Sequence, residues 1–191
     1  MAQSSTTRQL LAATRMLLAL TLLLGVLYPA VVWGVGRVGL SHQADGSRIE
    51  RGGTVVGSAL LGQDFTAERH FHGRPSASDY AGDVSGGTNL YAAHEDQQAA
   101  LAERRAGYAV ANDGVPAPAD ALTASASGLD PHISPANAMA QAPRVAAAND
   151  LPRGVVERLV REHTEGRVLG FLGEPRVNVL ELNLAVEEAA R

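Results

Sequence analysis

Three residue types that often define a protein's chemistry are missing or scarce in this 191-residue sequence. It has no cysteine, which excludes a disulfide framework, a thiolate zinc site and a cysteine nucleophile. It has no lysine either, because all 16 basic residues are arginine, and this excludes a Walker-type phosphate loop and a lysine Schiff base. Aromatic residues make up only 4%. The remaining composition, 46% hydrophobic and 19% charged, is typical of one globular domain.

Acidic residues are absent from the first 44 positions, where the only charged side chains are those of Arg8, Arg15 and Arg37. After Arg37 the sequence contains 13 arginines and 20 acidic residues, a net charge of -7. A surface of this charge repels polyanions, so we do not expect nucleic acid as a partner. The uneven distribution indicates two differently built parts.

The first part contains an uncharged segment over 16–36, MLLALTLLLGVLYPAVVWGVG, which is 21 residues long. A helix of this length spans roughly 31 Å, about the thickness of the hydrocarbon core of a bilayer. Tyr28 and Trp33 lie toward its far end, where aromatic rings favour the membrane interface. We therefore predict a cytoplasmic tail over 1–15 and a transmembrane helix over 16–36, with Pro29 able to kink its last third.

Two other interpretations of this segment are weaker. A cleaved signal peptide has an apolar region of about 7 to 15 residues followed by an A-x-A-like site, and here only Gly34 and Gly36 form a small-x-small pair. Gly34, Gly36 and Gly39 also spell the dinucleotide fingerprint G-x-G-x-x-G, but no amphipathic helix begins after it. Arginine counting favours neither orientation strongly, and the acid-free tail inclines us to a cytoplasmic amino terminus.

Residues 37–191 predict a mixed α/β (α+β) soluble domain. Its predicted strands are 54–61, 167–172 and 176–186, the last two forming a hairpin. Its predicted helices are 92–112 and three short ones that begin at Pro135, Pro143 and Pro152. Residues 72–89 are rich in Gly, Ser, Pro and Asp and predict a long loop, for which a binding role must be considered.

Two groups of residues have the composition of a reactive site. His70 and His72 would share one face of a strand and could form a three-ligand metal site with His94 or His132, although local packing is the preferred interpretation. Ser125, Ser127, Asp130 and His132 supply the residue types of a nucleophile, a base and an orienting acid. A G-x-S-x-G elbow is absent, so a turn at 128–131 leading to a helix cap at Ser134 is preferred.

A third candidate is a small anion-binding loop. Ser85, Gly86, Gly87, Thr88 and Asn89 could present successive backbone N–H groups to a phosphate or carboxylate. An ordinary turn has the same composition, and no lysine follows. These five residues are nevertheless the only nucleotide-binding candidates that the sequence offers.

Several longer blocks, taken in order, resemble one known family. They are Tyr28-Pro29, then GSALLGQDF at 57–65, FHGRPSA at 71–77, SGGTNL at 85–90, LTASASGLD at 122–130, ISP at 133–135, PRVA at 143–146 and VNVLELNL at 177–184. The chain resembles, from about residue 15 to 186, the C subunit of the Kdp potassium-transporting ATPase, the KdpC family. Blocks of this length in one order are far more specific than any single motif above.

The resemblance implies a single-pass subunit of the cell inner membrane, with a cytoplasmic amino terminus and a periplasmic domain over 37–191. Its partners would be a channel-like potassium-binding subunit, a P-type ATPase subunit and membrane lipid. The family is described as assisting assembly and as a catalytic chaperone that raises the ATP affinity of the ATPase subunit. The subunit itself would be non-catalytic and hold no covalent cofactor, with ATP associating through the complex and potassium as the transported ion. The alternative is a membrane-anchored periplasmic hydrolase or metal-binding protein using His70, His72 and His132.

Polar residues in the matching blocks are candidates for contact with these partners, and we expect Glu181, Asn183 and the loop over 73–89 to be exposed. The candidates are Gln63, Arg74, Asp130, Glu181 and Asn183. Exposed polar side chains are solvated by default, so the prediction rests on the resemblance rather than on the residue types.

Overall fold

The computed structural model describes residues 5–191, which divide into two compact units, one ending at Ser47 and one spanning Arg48–Arg191. The first unit is almost entirely helical. Its elements are α1 (Ser5–Leu22), a π-helical turn (Leu23–Leu27), α2 (Tyr28–Gly39) and the short α3 (Ser41–Ala44).

The helical stretch Ser5–Gly39 is 35 residues long, has a mean hydropathy of 2.2 in its most apolar window, and buries none of that window. It is long and apolar enough to cross a membrane, as the sequence predicts, and it extends beyond 16–36 at both ends. The π-helical turn ends immediately before Tyr28 and Pro29. Since Pro29 has no N–H to donate to the Gly25 carbonyl, the wider turn lies where regular α-helical bonding is interrupted.

The second unit begins with a β-hairpin. Strands β1 (Arg48–Arg51) and β2 (Thr54–Ser58) pair antiparallel, with an irregular register between Ile49 and Glu50. Gly52 and Gly53 form the turn with φ values of 58° and 79°, a region that glycine adopts without steric cost. Strand β2 confirms the predicted strand over 54–61 for its first five residues. Strand β1 was not predicted, because it lies in a mostly polar stretch that does not have the apolar pattern of a strand.

A second sheet has the order β3-β5-β4 and is antiparallel throughout. Its strands are β3 (His132–Ile133), β4 (Thr164–Glu165) and the central β5 (Arg176–Asn178). The predicted strand over 167–172 is wrong, because only one bridge, between Val168 and Leu172, forms there. The strand that pairs with β5 lies just before it, at β4.

Five helices complete the unit: α4 (Glu95–Ala111), α5 (Ala119–Leu122), α6 (Pro135–Ala148), α7 (Arg153–Glu162) and α8 (Val179–Ala189). Helix α4 confirms the prediction over 92–112. Ser134 caps α6 as predicted, since its hydroxyl accepts from the Asn137 N–H at 3.1 Å. The helix predicted to begin at Pro143 is wrong because Pro143 lies inside α6. The buried Ala142 and Val145 on either side keep that helix continuous despite one missing backbone hydrogen bond.

The predicted strand over 176–186 is correct only as far as Asn178. There the Asn178 side chain accepts from the Glu181 N–H at 3.2 Å and caps α8. Val179, Leu182 and Val186 are buried at helical spacing, so the 3.6-residue period, not the alternation of leucines, describes this segment.

The core of the unit lies among α6, α7, α8 and β5. Phe71, from a segment without helix or strand, is its largest fully buried side chain. The other core residues are Ile133, Ala138, Ala142, Val145, Ala146, Val156, Val160, Val177, Val179, Leu182 and Val186. The described chain is thus a mixed α+β domain together with one long N-terminal apolar helix, which confirms the predicted fold class.

Candidate functional site

Residues 59–94 contain neither helix nor strand, which confirms and extends the predicted loop over 72–89. Two side-chain amides hold its centre. Asn183 of α8 accepts from the Phe71 N–H at 2.7 Å and donates to the Phe71 carbonyl at 3.0 Å. Gln141 of α6 does the same for His72, at 2.8 Å and 3.1 Å. Two consecutive backbone units are therefore bonded to side chains of two helices, as a neighbouring strand would bond them.

The Gln141 amide continues into a buried polar network. It donates to Asn137 Oδ1 at 2.9 Å, and the Tyr108 hydroxyl donates to the same oxygen at 3.0 Å. The Asn137 amide donates to Asp120 at 3.1 Å. Burial, together with the negative charge of Asp120, raises the pKa of Tyr108 to about 12, so this phenol stays protonated and remains a donor.

Arg144 fastens the other side of the same loop. Its guanidinium donates to the carbonyls of His70, at 3.0 Å, and Glu68, and to Gln141 Oε1 at 2.8 Å. Burial lowers the pKa of His72, and the nearby charge of Arg144 lowers it further. His72 is therefore predominantly neutral at pH 7, and the cation held at this place is Arg144.

A cleft of about 420 Å³ opens above this network, between the loop and α4. Asn137 and Gln141 form its floor, and Arg104 and Tyr108 lie on its α4 side. Because the floor amides bond within the protein, the groups left to recognise a ligand are on the walls, where Asp64 and other exposed side chains lie.

Arg74 and Asp130, two of the predicted contact residues, meet each other. Arg74 Nη1 lies 3.0 Å from an Asp130 carboxylate oxygen, and Asp130 also accepts from the His132 N–H at 3.0 Å. Burial alone would raise the pKa of Asp130, but the hydrogen bonds from His132 and Arg74 outweigh it, and the pKa is lowered. Both side chains are half-buried and join the loop to the turn before β3. Arg74 Nε is buried and has no hydrogen-bond partner among residues 5–191.

The predicted anion-binding loop runs beside the serine-rich turn. The Gly86 N–H donates to the Ser127 carbonyl at 2.9 Å, so one donor of the predicted nest is used within the protein. A Cβ at Gly87 would lie 3.1 Å from the Ala126 carbonyl oxygen, which shows how closely the two backbones pack. Ser85, Thr88 and Asn89 are exposed. Nucleotide binding by these five residues stays a prediction.

The serine hydroxyls are used locally. Ser125 Oγ accepts from the Gly128 N–H at 3.1 Å and lies 3.0 Å from Ser127 Oγ, and the chain bends at 126–128, slightly before the predicted turn. Across residues 5–191 neither hydroxyl is hydrogen-bonded to a histidine. The His132 ring faces Asp130 instead, at 3.5 Å.

The histidines are dispersed. His70 and His72 do not lie on a strand: the backbone of His72 bonds to the Gln141 amide, and the His70 carbonyl accepts from Arg144. His70 lies 3.4 Å from Glu187, which also pairs with Arg51 at 2.6 Å, and His94 caps α4. The part of the chain that the structure describes contains no group of three histidine or carboxylate side chains arranged to hold a metal ion. The three-ligand site considered from the sequence is therefore not formed.

The remaining contact candidates differ in exposure. Glu181 is exposed, and Gln63 is half-buried and donates to the Val56 carbonyl at 3.1 Å. Asn183 is only 2% exposed, so the prediction that it is exposed is wrong. Asn183 has helical spacing from Val179 and Val186, but only the structure shows that these two valines are core residues. For the other four residues, partner contact stays a prediction.

These features define a class of protein: an α+β domain, braced by buried side-chain amides, that follows one helix long and apolar enough to cross a membrane. Comparison with known proteins identifies the family. The model of the KdpC family, described as "K+-transporting ATPase, c chain", matches residues 10–188, and the chain belongs to this family.

Similar proteins carry the name potassium-transporting ATPase KdpC subunit. The one from Mycobacterium bovis (strain BCG / Pasteur 1173P2) is 50% identical over 186 residues, which cover 94% of this chain and 98% of the relative. The one from Cereibacter sphaeroides is 50% identical over 173 residues, covering 91% and 93%. The one from Gemmatimonas aurantiaca is 51% identical over 174 residues, covering 88% and 87%.

Proposed function

We propose that this chain is an accessory, non-catalytic subunit of an ATP-driven, high-affinity potassium import complex. It assists assembly and raises the affinity of the P-type ATPase subunit for ATP. The observation that carries the proposal is the match to the KdpC family over 10–188, together with relatives of the same name that align over nearly their whole length. Its partners in the proposal are the channel-like potassium-binding subunit and the ATPase subunit.

The described residues support the non-catalytic part of this proposal. The hydroxyls of Ser125 and Ser127 form hydrogen bonds within their own turn. The His132 ring faces the Asp130 carboxylate, which also pairs with Arg74. A nucleophile needs a general base within hydrogen-bond reach. The buried amides of Asn183 and Gln141 are likewise used within the protein, where they bond to the backbone of Phe71 and His72.

We further propose that the chain is anchored in the cell inner membrane by Ser5–Gly39, with its amino terminus in the cytoplasm and the domain in the periplasm. The orientation in this proposal is taken from membership of the KdpC family, since arginine counting favours neither orientation strongly. In this topology the domain acts on the affinity for cytoplasmic ATP through its partner subunits.

The test is to purify the potassium-binding and ATPase subunits with and without the full chain and to measure ATP hydrolysis against ATP concentration. We expect the chain to lower the KM for ATP and to increase the yield of the assembled complex. If neither quantity depends on the chain, the proposal is refuted. Equilibrium dialysis of the full chain with ATP in detergent, using Thr88→Val against Thr54→Val as an exposed control, tests direct nucleotide contact at Ser85–Asn89 separately.

A further inference from the structure

The cleft between the loop over 59–94 and α4 has the size of a small-molecule site, and the proposed function makes no use of it. Its volume of about 420 Å³ lies within the range of about 300–1,000 Å³ that small-molecule pockets occupy. Both sides supply apolar lining, Phe65 and Pro75 from the loop and Ala111 and Ala121 from α4 and α5. An aliphatic chain can lie against such surfaces while its polar ends reach other groups.

The unpaired charges that line the cleft are of both signs. Arg104, on the α4 side, donates to the Leu122 carbonyl at 2.9 Å and is in no ion pair among residues 5–191. Asp64 and Asp79, on the loop side, are exposed and form no ion pair within the same range. Opposite charges therefore lie on the two sides of the cleft without meeting each other.

His72 and Arg74, which also line the cleft, add no unpaired charge. Arg74 pairs with Asp130 at 3.0 Å. His72 is predominantly neutral, and its Nε2 lies 3.1 Å from the Ala67 carbonyl, which can only accept a hydrogen bond. Nε2 therefore carries the ring proton, and Nδ1 is left as an acceptor. A ligand has to complement two carboxylates and one guanidinium, together with this imidazole acceptor.

Gly107 leaves the α4 side of the cleft open. It lines the cleft one turn after Arg104 on the same helix, with no positive φ, and a Cβ added there would have no atom within 4 Å. Neither close packing nor backbone conformation therefore requires glycine at this position, although glycine inside a helix is less stable than alanine. What glycine provides here is space, because a larger side chain would extend into the cleft.

We propose that this cleft binds a small basic amino acid, a solute with one carboxylate, two cationic groups and an aliphatic stem. The carboxylate pairs with Arg104, the cationic groups pair with Asp64 and Asp79, and the stem lies between the apolar surfaces. The excess of acidic residues in the Arg48–Arg191 unit, 19 against 13 arginines, attracts a solute of net positive charge. The inference does not depend on the partner subunits, because every lining residue belongs to this unit.

The experiment is isothermal titration calorimetry of the full chain in an uncharged detergent, at pH 7 and low ionic strength. The probe is L-lysine. L-Norleucine keeps the charged backbone groups and most of the stem but lacks the second ammonium group. Nα-acetyl-L-lysine methylamide keeps the stem and the terminal ammonium group but, like a residue within a polypeptide, lacks both charged backbone groups. Since each of these two compounds has lost at least one charge pair, we expect each to bind about fivefold more weakly than L-lysine or worse.

Two variants of α4 test the location of the site, each with a neighbour that does not line the cleft as its control. Gly107→Leu should abolish L-lysine binding, and it should not lower the unfolding temperature, because leucine is a better helix former than glycine. Ala106→Leu, at an exposed position, should bind L-lysine like the unaltered chain. Arg104→Gln should weaken L-lysine binding about tenfold but leave the binding of the blocked lysine unchanged, since that compound has no carboxylate. Arg105→Gln is its exposed control.

Three results would overturn the inference. The first is that the unaltered chain binds no L-lysine in the millimolar range. The second is that Gly107→Leu binds L-lysine as tightly as the unaltered chain, which would place the binding elsewhere. The third is that the blocked lysine binds as tightly as L-lysine, which would make the occupant a basic segment of another polypeptide instead of a free amino acid.

Discussion

Replacing Asn183 by alanine should destabilise the domain more than replacing an exposed residue of the same helix by alanine. Asn183 Oδ1 and Nδ2 satisfy the N–H and the carbonyl of Phe71, which is fully buried. Removing the amide leaves two buried backbone groups without partners, each at a cost of about 1–3 kcal/mol. Water entering the vacated volume recovers part of this, so we expect a loss of about 2–4 kcal/mol in the free energy of unfolding.

The measurement is thermal unfolding of the full chain in detergent, with hydrogen exchange of the Phe71 amide as a local readout. A loss of this size lowers the unfolding temperature of a domain of this length by roughly 5–15 °C. Glu181→Ala is the control, because Glu181 is exposed on the same helix, and its effect should stay within about 0.5 kcal/mol. If Asn183→Ala and Glu181→Ala unfold at the same temperature and the Phe71 backbone N–H stays protected from exchange, the proposed role of the Asn183 side chain is refuted.

Two further predictions concern close packing and protonation. Gly128→Ala should destabilise the domain by about 1–3 kcal/mol, because Gly128 has a φ of 70° and a Cβ there would lie 2.9 Å from the Gly86 carbonyl oxygen. Gly82→Ala, at a position with open space, is its control, and equal melting of the two variants would contradict the packing argument. Burial raises the pKa of both Tyr80 and Tyr108 to about 12, so absorbance titration should show two phenols ionising near pH 12, and Tyr80→Phe or Tyr108→Phe should each remove one. Because these pKa values exceed the unfolded value of about 10, the stability they contribute is complete below pH 10 and is lost as the pH rises toward 12. Titration of both groups near pH 10 in the folded protein would contradict this.

The parts of the fold that the sequence predicts correctly are those whose local signal agrees with their packing. The uncharged run before Arg37 is a long apolar helix because such a run satisfies its own backbone hydrogen bonds. The alanine-rich stretch at α4 and the Ser134 cap of α6 are likewise local features. The order of the sequence blocks also sufficed to identify the KdpC family, which the comparison then confirmed.

The predictions that fail are those in which a tertiary contact outweighs a local pattern. Leucines that alternate after Arg176 predict a strand, but the Asn178 cap and the burial of Leu182 and Val186 make a helix. Pro143 predicts the start of a new helix, but α6 continues past Pro143 because the neighbouring Ala142 and Val145 pack in the core. In both cases the secondary structure depends on which side chains of the segment pack against the core, and the sequence of that segment alone does not show this.

By itself the sequence determined the apolar helix, the α+β class, the family and the exclusion of cysteine and lysine chemistry, because these depend on composition and on the order of residues along the chain. Only the tertiary structure decided where the polar residues of the site lie. In the sequence, Asn183 and Gln141 are ordinary polar residues. The fold brings Asn183 to the backbone of Phe71 and Gln141 to the backbone of His72, both far away in sequence. A buried amide is stable only with both its donor and its acceptor satisfied, and distant segments supply those partners.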